Sequence, residues 1–138
     1  MKHHAALVIR DRNGRVLFVK RALTKKVLPG AWSFPSGTQE EGEDILETAR
    51  REAKEELGIE IIDQKVVADV ELSEFGSHLH FILCEKFLGE PKILQEHEMS
   101  EMRWMTFEEF FNTFSDDQIG HGLVWLRKHS EIYKALKY

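Results

Sequence analysis

Three glutamates, Glu52, Glu55 and Glu56, crowd into the segment Arg51-Glu52-Ala53-Lys54-Glu55-Glu56-Leu57-Gly58. Carboxylates are the ligands that hard divalent cations prefer, and Mg2+ keeps several waters that phosphate oxygens can replace. Residues 43–57 carry a helical pattern. With Ile45 at 0° and about 100° per residue, Ala49, Leu46, Ala53 and Leu57 fall between about 40° and 120°, the core-facing arc. On the same wheel Glu52 lies near ~340°, Glu56 near ~20° and Glu55 near ~280°. The three share one edge of the helix, with Glu56 inside the apolar margin. A carboxylate there is costly unless it is paired or bound to a metal. The competing reading is a solvated acidic face laced by Glu47–Arg51 and Arg51–Glu55 pairs at four-residue spacing. Spacing alone leaves both readings open.

The elements around this helix must present it. Pro35-Ser36-Gly37-Thr38 brings the chain back toward it with little side-chain bulk, and Gly37 can expose its carbonyl or let a phosphate approach, or it can simply serve the turn. Residues 36–42 read as loop. Asp44, three residues before Glu47, has the form of a helix cap, and Gly58 is a natural stop. Upstream, Leu7-Val8-Ile9-Arg10 and Val16-Leu17-Phe18-Val19 flank Asn13-Gly14, a hairpin signal. A loop over 22–31 leads to a short strand, Trp32-Ser33-Phe34. Residues 61–72 and 78–88 alternate as two longer strands, joined at Glu74-Phe75-Gly76-Ser77, and a further strand surrounds Met102–Met105. Thr106-x-x-Glu109 opens a short helix. One last amphipathic helix uses Ile119, Leu123, Leu126, Tyr133 and Leu136. Strands dominate the first two thirds, which predicts a single α+β domain with helices packed on a mixed sheet.

Composition sets the outer bounds. The chain has 138 residues, with 42% hydrophobic and 31% charged, as in a soluble globular domain. No apolar run approaches the length of a membrane span, and the short run after Met1-Lys2-His3-His4 reads as a strand instead of a signal peptide. The net charge of −5 argues against binding nucleic-acid polymers. The single Cys84 permits no internal disulfide and suggests a reducing, cytoplasmic setting. The histidines are scattered, and only His78 and His80 share a strand face. Either a monomer or a homodimer fits.

Gly37, Glu43 and the run Arg51-Glu52-Ala53-Lys54-Glu55-Glu56-Leu57-Gly58-Ile59, at this spacing, resemble the signature of the Nudix hydrolases. The flanks agree. Gly30-x-Trp32-x-Phe34-Pro35-Ser36-Gly37 is similar to the strand that enters the motif, and Glu40-x-Gly42-Glu43 to the approach to its helix. Glu98-x-x-Glu101-x-x-Trp104 is similar to a common downstream pattern. Ala53 stands where a bulkier aliphatic residue is usual and Ser36 where glycine is common. Neither is a ligand position.

The resemblance implies an α/β/α sandwich with the motif helix against a mixed sheet. It also implies Mg2+- or Mn2+-dependent hydrolysis of a nucleoside diphosphate linked to another moiety. By position, Glu52, Glu55 and Glu56 would be metal ligands, the Gly37 carbonyl could complete the site, and Glu43 and Arg51 would form an orienting pair. The general base is Glu55, Glu52 or a downstream glutamate, Glu98 or Glu101, with Glu98 the leading outside contributor. Lys20, Arg21, Lys25 and Lys26 are candidates to hold distal phosphates, with plain solvated loop charge the stronger reading for Lys25 and Lys26. Phe75 or Trp32 is a candidate to stack on a base, with core packing the stronger reading for Trp32. The Glu74-Phe75-Gly76 region shows neither the proline associated with ADP-ribose hydrolases nor the tyrosine associated with dinucleoside polyphosphate hydrolases. The compact chain looks most like the MutT-type nucleoside triphosphate hydrolases. Two other classes stand beside this: a non-catalytic nucleotide-binding module, and isoprenoid diphosphate isomerase chemistry, which needs metal-ligating histidines and a reactive cysteine.

Overall fold

The structure, a computed structural model, describes residues 1–136. Strands and helices are mixed along the chain, in keeping with the α+β expectation. Two compact units can be distinguished, one formed by Met1–Ile9 with Pro35–Leu94, the other by Arg10–Phe34 with the chain from Gln95 onward. Among the described residues no helix is long and apolar enough to cross a membrane.

The first unit is built on a four-stranded mixed sheet. Its strands are β1 (Lys2–Ile9), β4 (Ser36–Thr38), β5 (Glu60–Leu72) and β6 (Ser77–Leu88), in the order β4-β1-β6-β5. β1 runs parallel to β6 and antiparallel to β4, while β5 and β6 form the expected antiparallel pair. Ala5 through Ile9 are buried without alternation, the burial expected where a strand is covered on both faces. β5 is the opposite case, an edge strand with several register shifts and charged residues such as Asp63, Lys65 and Glu71, features that discourage further strand addition.

Helix α1 (Ile45–Glu52) lies against β1, β4, β5 and β6. Asp44 caps it by accepting from the Glu47 N–H at 2.9 Å. After Glu52 the helix widens into a π turn, Ala53–Leu57, which ends at Gly58 with φ 70°. A side chain is disfavoured in that left-handed conformation, so the glycine foreseen as a stop has a backbone reason. Ala49, Ala53 and Leu57 are fully buried, as the helical wheel requires.

The second unit holds a three-stranded sheet in the order β3-β2-β7, from β2 (Val16–Arg21), β3 (Trp32–Ser33) and β7 (Met99–Met105). Phe18 is the centre of its core, stacked on Phe110 at 3.9 Å and Phe34 at 5.6 Å, with the edge of Phe107 at 5.9 Å. Helix α2 (Phe107–Thr113) starts in a full capping box, Thr106 and Glu109 each accepting from the other's N–H at 3.1 Å. Two short helices follow, α3 (His121–Arg127) and α4 (Ser130–Ala135).

Three expectations change. The Asn13-Gly14 reversal forms, with Asp11 accepting from the N–H groups of Asn13 and Arg15, but the strands on either side do not pair as a hairpin. β1 and β2 join different sheets, and only the isolated bridge Arg10–Val16 remains of the hairpin. β1 instead finds β6, which covers its whole length. Residues 36–38, read as loop, are strand, because Ser36, Gly37 and Thr38 satisfy the free edge of β1 opposite Ala6, Ala5 and His4. The single C-terminal helix is two, divided at Lys128–His129, where His129 Nδ1 lies 2.7 Å from the Trp125 carbonyl.

Candidate active site

The motif helix, Glu43 just before its cap and the Thr38 carbonyl converge on one guanidinium. Arg51 donates from Nε to Glu43 Oε2 at 2.8 Å and from Nη2 to Glu43 Oε1 at 3.0 Å, a two-pronged pair. Its Nη2 also donates to the Thr38 carbonyl at 3.0 Å, and its Nη1 to Glu52 Oε1 at 2.7 Å and Glu55 Oε2 at 3.4 Å. Arg51 thus joins β4, the β4–α1 loop and two of the candidate metal ligands.

Glu43 is held from several sides. Besides Arg51, the Thr48 hydroxyl donates to Oε1 at 2.6 Å and the Glu40 N–H at 3.1 Å. The Arg51 hydrogen bonds, and after them the Thr48 hydroxyl, hold the Glu43 carboxyl down at about 2. The same contact with Glu43 raises the already high affinity of Arg51 for its proton. Both members of the pair therefore stay charged near neutral pH.

The three glutamates differ in exposure. Glu56 is buried at 6% relative exposure, and its backbone carbonyl accepts from the Leu94 N–H at 3.0 Å. The Glu52 side chain is 13% exposed and that of Glu55 50%. A gradient from buried to open runs along one helix edge, as the wheel places them, with the π turn resetting the spacing of the last two. Gly37 faces this edge. A Cβ on it would fall far inside contact distance of Cγ and Cδ of Glu52. The glycine is a cradle for the Glu52 carboxylate, and any side chain at this position would displace it.

The remaining candidates are carried by other elements. Phe75 sits at the turn between β5 and β6 in the same unit, 46% exposed. Lys20, Arg21, Glu98 and Glu101 belong to the second unit. There Lys25 donates to Glu98 Oε2 at 2.6 Å, which lowers the Glu98 carboxyl below its usual range. Lys25 is therefore not a plain solvated charge. Arg21 donates from Nε to the Val27 carbonyl, and Glu101 pairs with Arg103. Trp32 is 5% exposed and stacked on Phe114, so core packing accounts for it. Sequence reasoning passed over Thr48. Its signal was available: a polar residue at about 300° on the same wheel, next to Glu52 and in reach of residue 43. Cys84 is fully buried and burial pushes its thiol up to about 12, which removes the reactive thiolate that isomerase chemistry would need.

Two outcomes follow from this geometry. Gly37→Ala should lower divalent-cation affinity and turnover by at least about tenfold through the displaced Glu52, with the thermal midpoint little changed; cation titration by calorimetry reads it. Glu43 has a folded-state pKa below its ordinary 4.5, so its carboxylate favours the folded protein above that pH. The contribution fades as pH falls from about 4.5 toward about 2. Denaturant unfolding as a function of pH should show a slope in that window that Glu43→Gln flattens.

Known proteins resemble this chain in sequence and in fold. The NUDIX domain family profile matches residues 1–124. The Nudix hydrolase YfcD of Escherichia coli, itself uncharacterised, is 30% identical over 136 residues, covering 95% of this chain and 76% of that protein. The Salmonella typhi protein of the same name is 32% identical over 150 residues, covering 99% and 77%. Among solved structures, a MutT from a study of Aliivibrio salmonicida and Vibrio cholerae superposes with a TM-score of 0.69 at 26% identity, covering 80% of this chain and 84% of that one. DR0079 of Deinococcus radiodurans shares the fold at a TM-score of 0.76 and 21% identity, covering 92% and 82%. The chain therefore belongs to the Nudix family of hydrolases, which act on acid anhydrides in phosphorus-containing compounds.

Proposed function

We propose that this Nudix hydrolase is a Mg2+- or Mn2+-dependent pyrophosphohydrolase that cleaves a nucleoside diphosphate linked to another moiety. Its favoured substrates are nucleoside triphosphates, oxidised ones included, with monophosphate and pyrophosphate as products. The observation that carries this reading is the placement of Glu56 and Glu52, two carboxylates largely removed from water on one helix edge, with Gly37 leaving room for one of them. An all-oxygen donor set of this kind suits a hard cation. Glu52, Glu55 and Glu56 would hold it, with the Gly37 carbonyl as a further donor.

When bound, Mg2+ or Mn2+ would neutralise charge on the phosphate oxygens and acidify water for attack. The protein's own groups do the rest. Arg51 orients Glu52 and Glu55 through its Nη1, and Glu43 fixes Arg51. Glu55, half exposed, is the most open of the three and is placed to accept a proton. Glu98 is the alternative base, although its ion pair with Lys25 weakens it as a proton acceptor. Lys20 and Arg21 are assigned to the distal phosphates and Phe75 to the base. The likeness to MutT structures supports the triphosphate reading. ADP-ribose, nucleotide sugars and dinucleoside polyphosphates are the competing substrates, and a non-catalytic nucleotide-binding module is the competing function.

A hydrolysis screen over these four substrate classes with Mg2+ should show chelator-sensitive turnover that is highest on a triphosphate. Glu55→Gln and Glu56→Gln should each reduce kcat by at least about a hundredfold while leaving the far-UV circular dichroism unchanged. Near-wild-type turnover in both variants would reject the assignment. Tight nucleotide binding without turnover of any substrate would favour the binding module.

A further inference from the structure

A second cluster of groups able to bind a metal lies on the sheet, outside the motif helix. His3 on β1 is the direct partner of His78 on the parallel strand β6, so the two side chains project from the same face. His80, two residues on, shares that face. The three rings lie together. Their centroids are 5.0 Å apart for His3 and His78, 5.2 Å for His3 and His80, and 4.4 Å for His78 and His80. One ring nitrogen from each lies within 4.8 Å of the others, and His3 Nδ1 is 2.9 Å from His80 Nε2. Nitrogen ligands about 2.05 Å from a tetrahedral metal stand about 3.3 Å apart, so the spacing of this pair is within roughly half an ångström of a coordination shell; the rings are stacked, at interplanar angles of 24°, 28° and 5°, and metal binding would turn them so that their in-plane lone pairs converge.

The surroundings suit a cation. Asp69 and Glu71 on β5 pair with His80 and His78 across the β5–β6 ladder and so share their face. Asp69 Oδ1 is 2.8 Å from His78 Nε2, and Glu71 Oε1 is 3.8 Å from His78 Nδ1. A carboxylate on a ligand imidazole fixes its tautomer and raises its basicity. All three histidines are half-buried. His4 is not part of the cluster. As the next residue of the strand it projects to the other face, toward Thr38 and Ser77.

We propose that His3, His78 and His80 form a second metal site, for a borderline transition cation such as Zn2+, Ni2+ or Cu2+, with Asp69 orienting His78. The donor chemistry separates it from the glutamate site: imidazole selects these metals, while carboxylate selects Mg2+ and Mn2+. The register also gives its distance. Ala5 is the partner of both Gly37 and His80, so His80 lies two strands across from Gly37, roughly 10 Å at the usual ~4.8 Å strand spacing, on the face where Glu52 meets Gly37. A metal there would tie β1 to β6 beside the candidate active site.

The test uses the full chain, stripped of metal, and titrates Zn2+ and Cu2+ by calorimetry in excess Mg2+. One Zn2+ per chain should bind. His78→Ala and His80→Ala should each weaken it by at least about a hundredfold, and Asp69→Asn by about tenfold. His4→Ala, His97→Ala and Glu56→Gln should leave it unchanged. Electron paramagnetic resonance of the Cu2+-loaded wild type should show coupling to several nitrogens, a readout that does not depend on any variant folding. Zn2+ affinity unaltered in both His78→Ala and His80→Ala, loss of affinity in His4→Ala, or an all-oxygen Cu2+ spectrum would each overturn the proposal.

Discussion

Everything at the candidate active site depends on the charge held by Arg51. Three glutamates on one helix edge repel one another, and two of them are largely withdrawn from water. A planar guanidinium offers five N–H donors in a fixed fork, and here that fork is used nearly in full. Two prongs fix it to Glu43, one to the Thr38 carbonyl, and Nη1 serves Glu52 and Glu55. Lysine carries the same charge on a flexible stem without the fork, so it could not join these groups in one geometry. Glu43 in turn is fixed by Thr48 and by the Glu40 N–H, so its negative charge is set before any cation arrives. Gly37 makes the remaining contribution by leaving space where a side chain would push Glu52 away.

Much of this was readable from residue order because the determinants are local. The Asp44 cap, the Gly58 stop and the burial of Ala49, Ala53, Leu57 and Glu56 follow from helical periodicity. The Thr106–Glu109 capping box and the antiparallel pairing of residues 61–72 with 78–88 are local in the same sense. Where partner choice is not local, pattern reading failed. Asn13-Gly14 does reverse the chain, yet nothing in that turn announces that β1 will pair with a strand some seventy residues later. The conversion of residues 36–38 into strand has the same origin, since it depends on the free edge of β1. The break between α3 and α4 falls where the apolar stripe skips a turn, at the polar residues His129 and Ser130 between Leu126 and Tyr133, a gap that a single helix with a partly polar turn would also show. His78 and His80 were visible as a strand-face pair, but His3 joins them only through the parallel register that the hairpin reading concealed.

The two clusters on the first unit divide along a chemical line. The helix edge presents oxygens and a fixed guanidinium, suited to a hard cation and a phosphate chain. The sheet face presents imidazoles backed by carboxylates, suited to borderline metals. Both are placed by β1, which offers Ala5 to Gly37 on one side and to His80 on the other.

In the proposed site Glu52 and Glu56 hold the catalytic cation, and Glu43 acts on them only through Arg51. Mn2+ binding followed by electron paramagnetic resonance tests it directly, because Mn2+ is a poor competitor for imidazole sites. Wild type should bind Mn2+, the double variant Glu52→Gln/Glu56→Gln should lose that binding, and Glu43→Gln should weaken it without abolishing it. Mn2+ affinity unchanged in the double variant would contradict the assignment of the metal site.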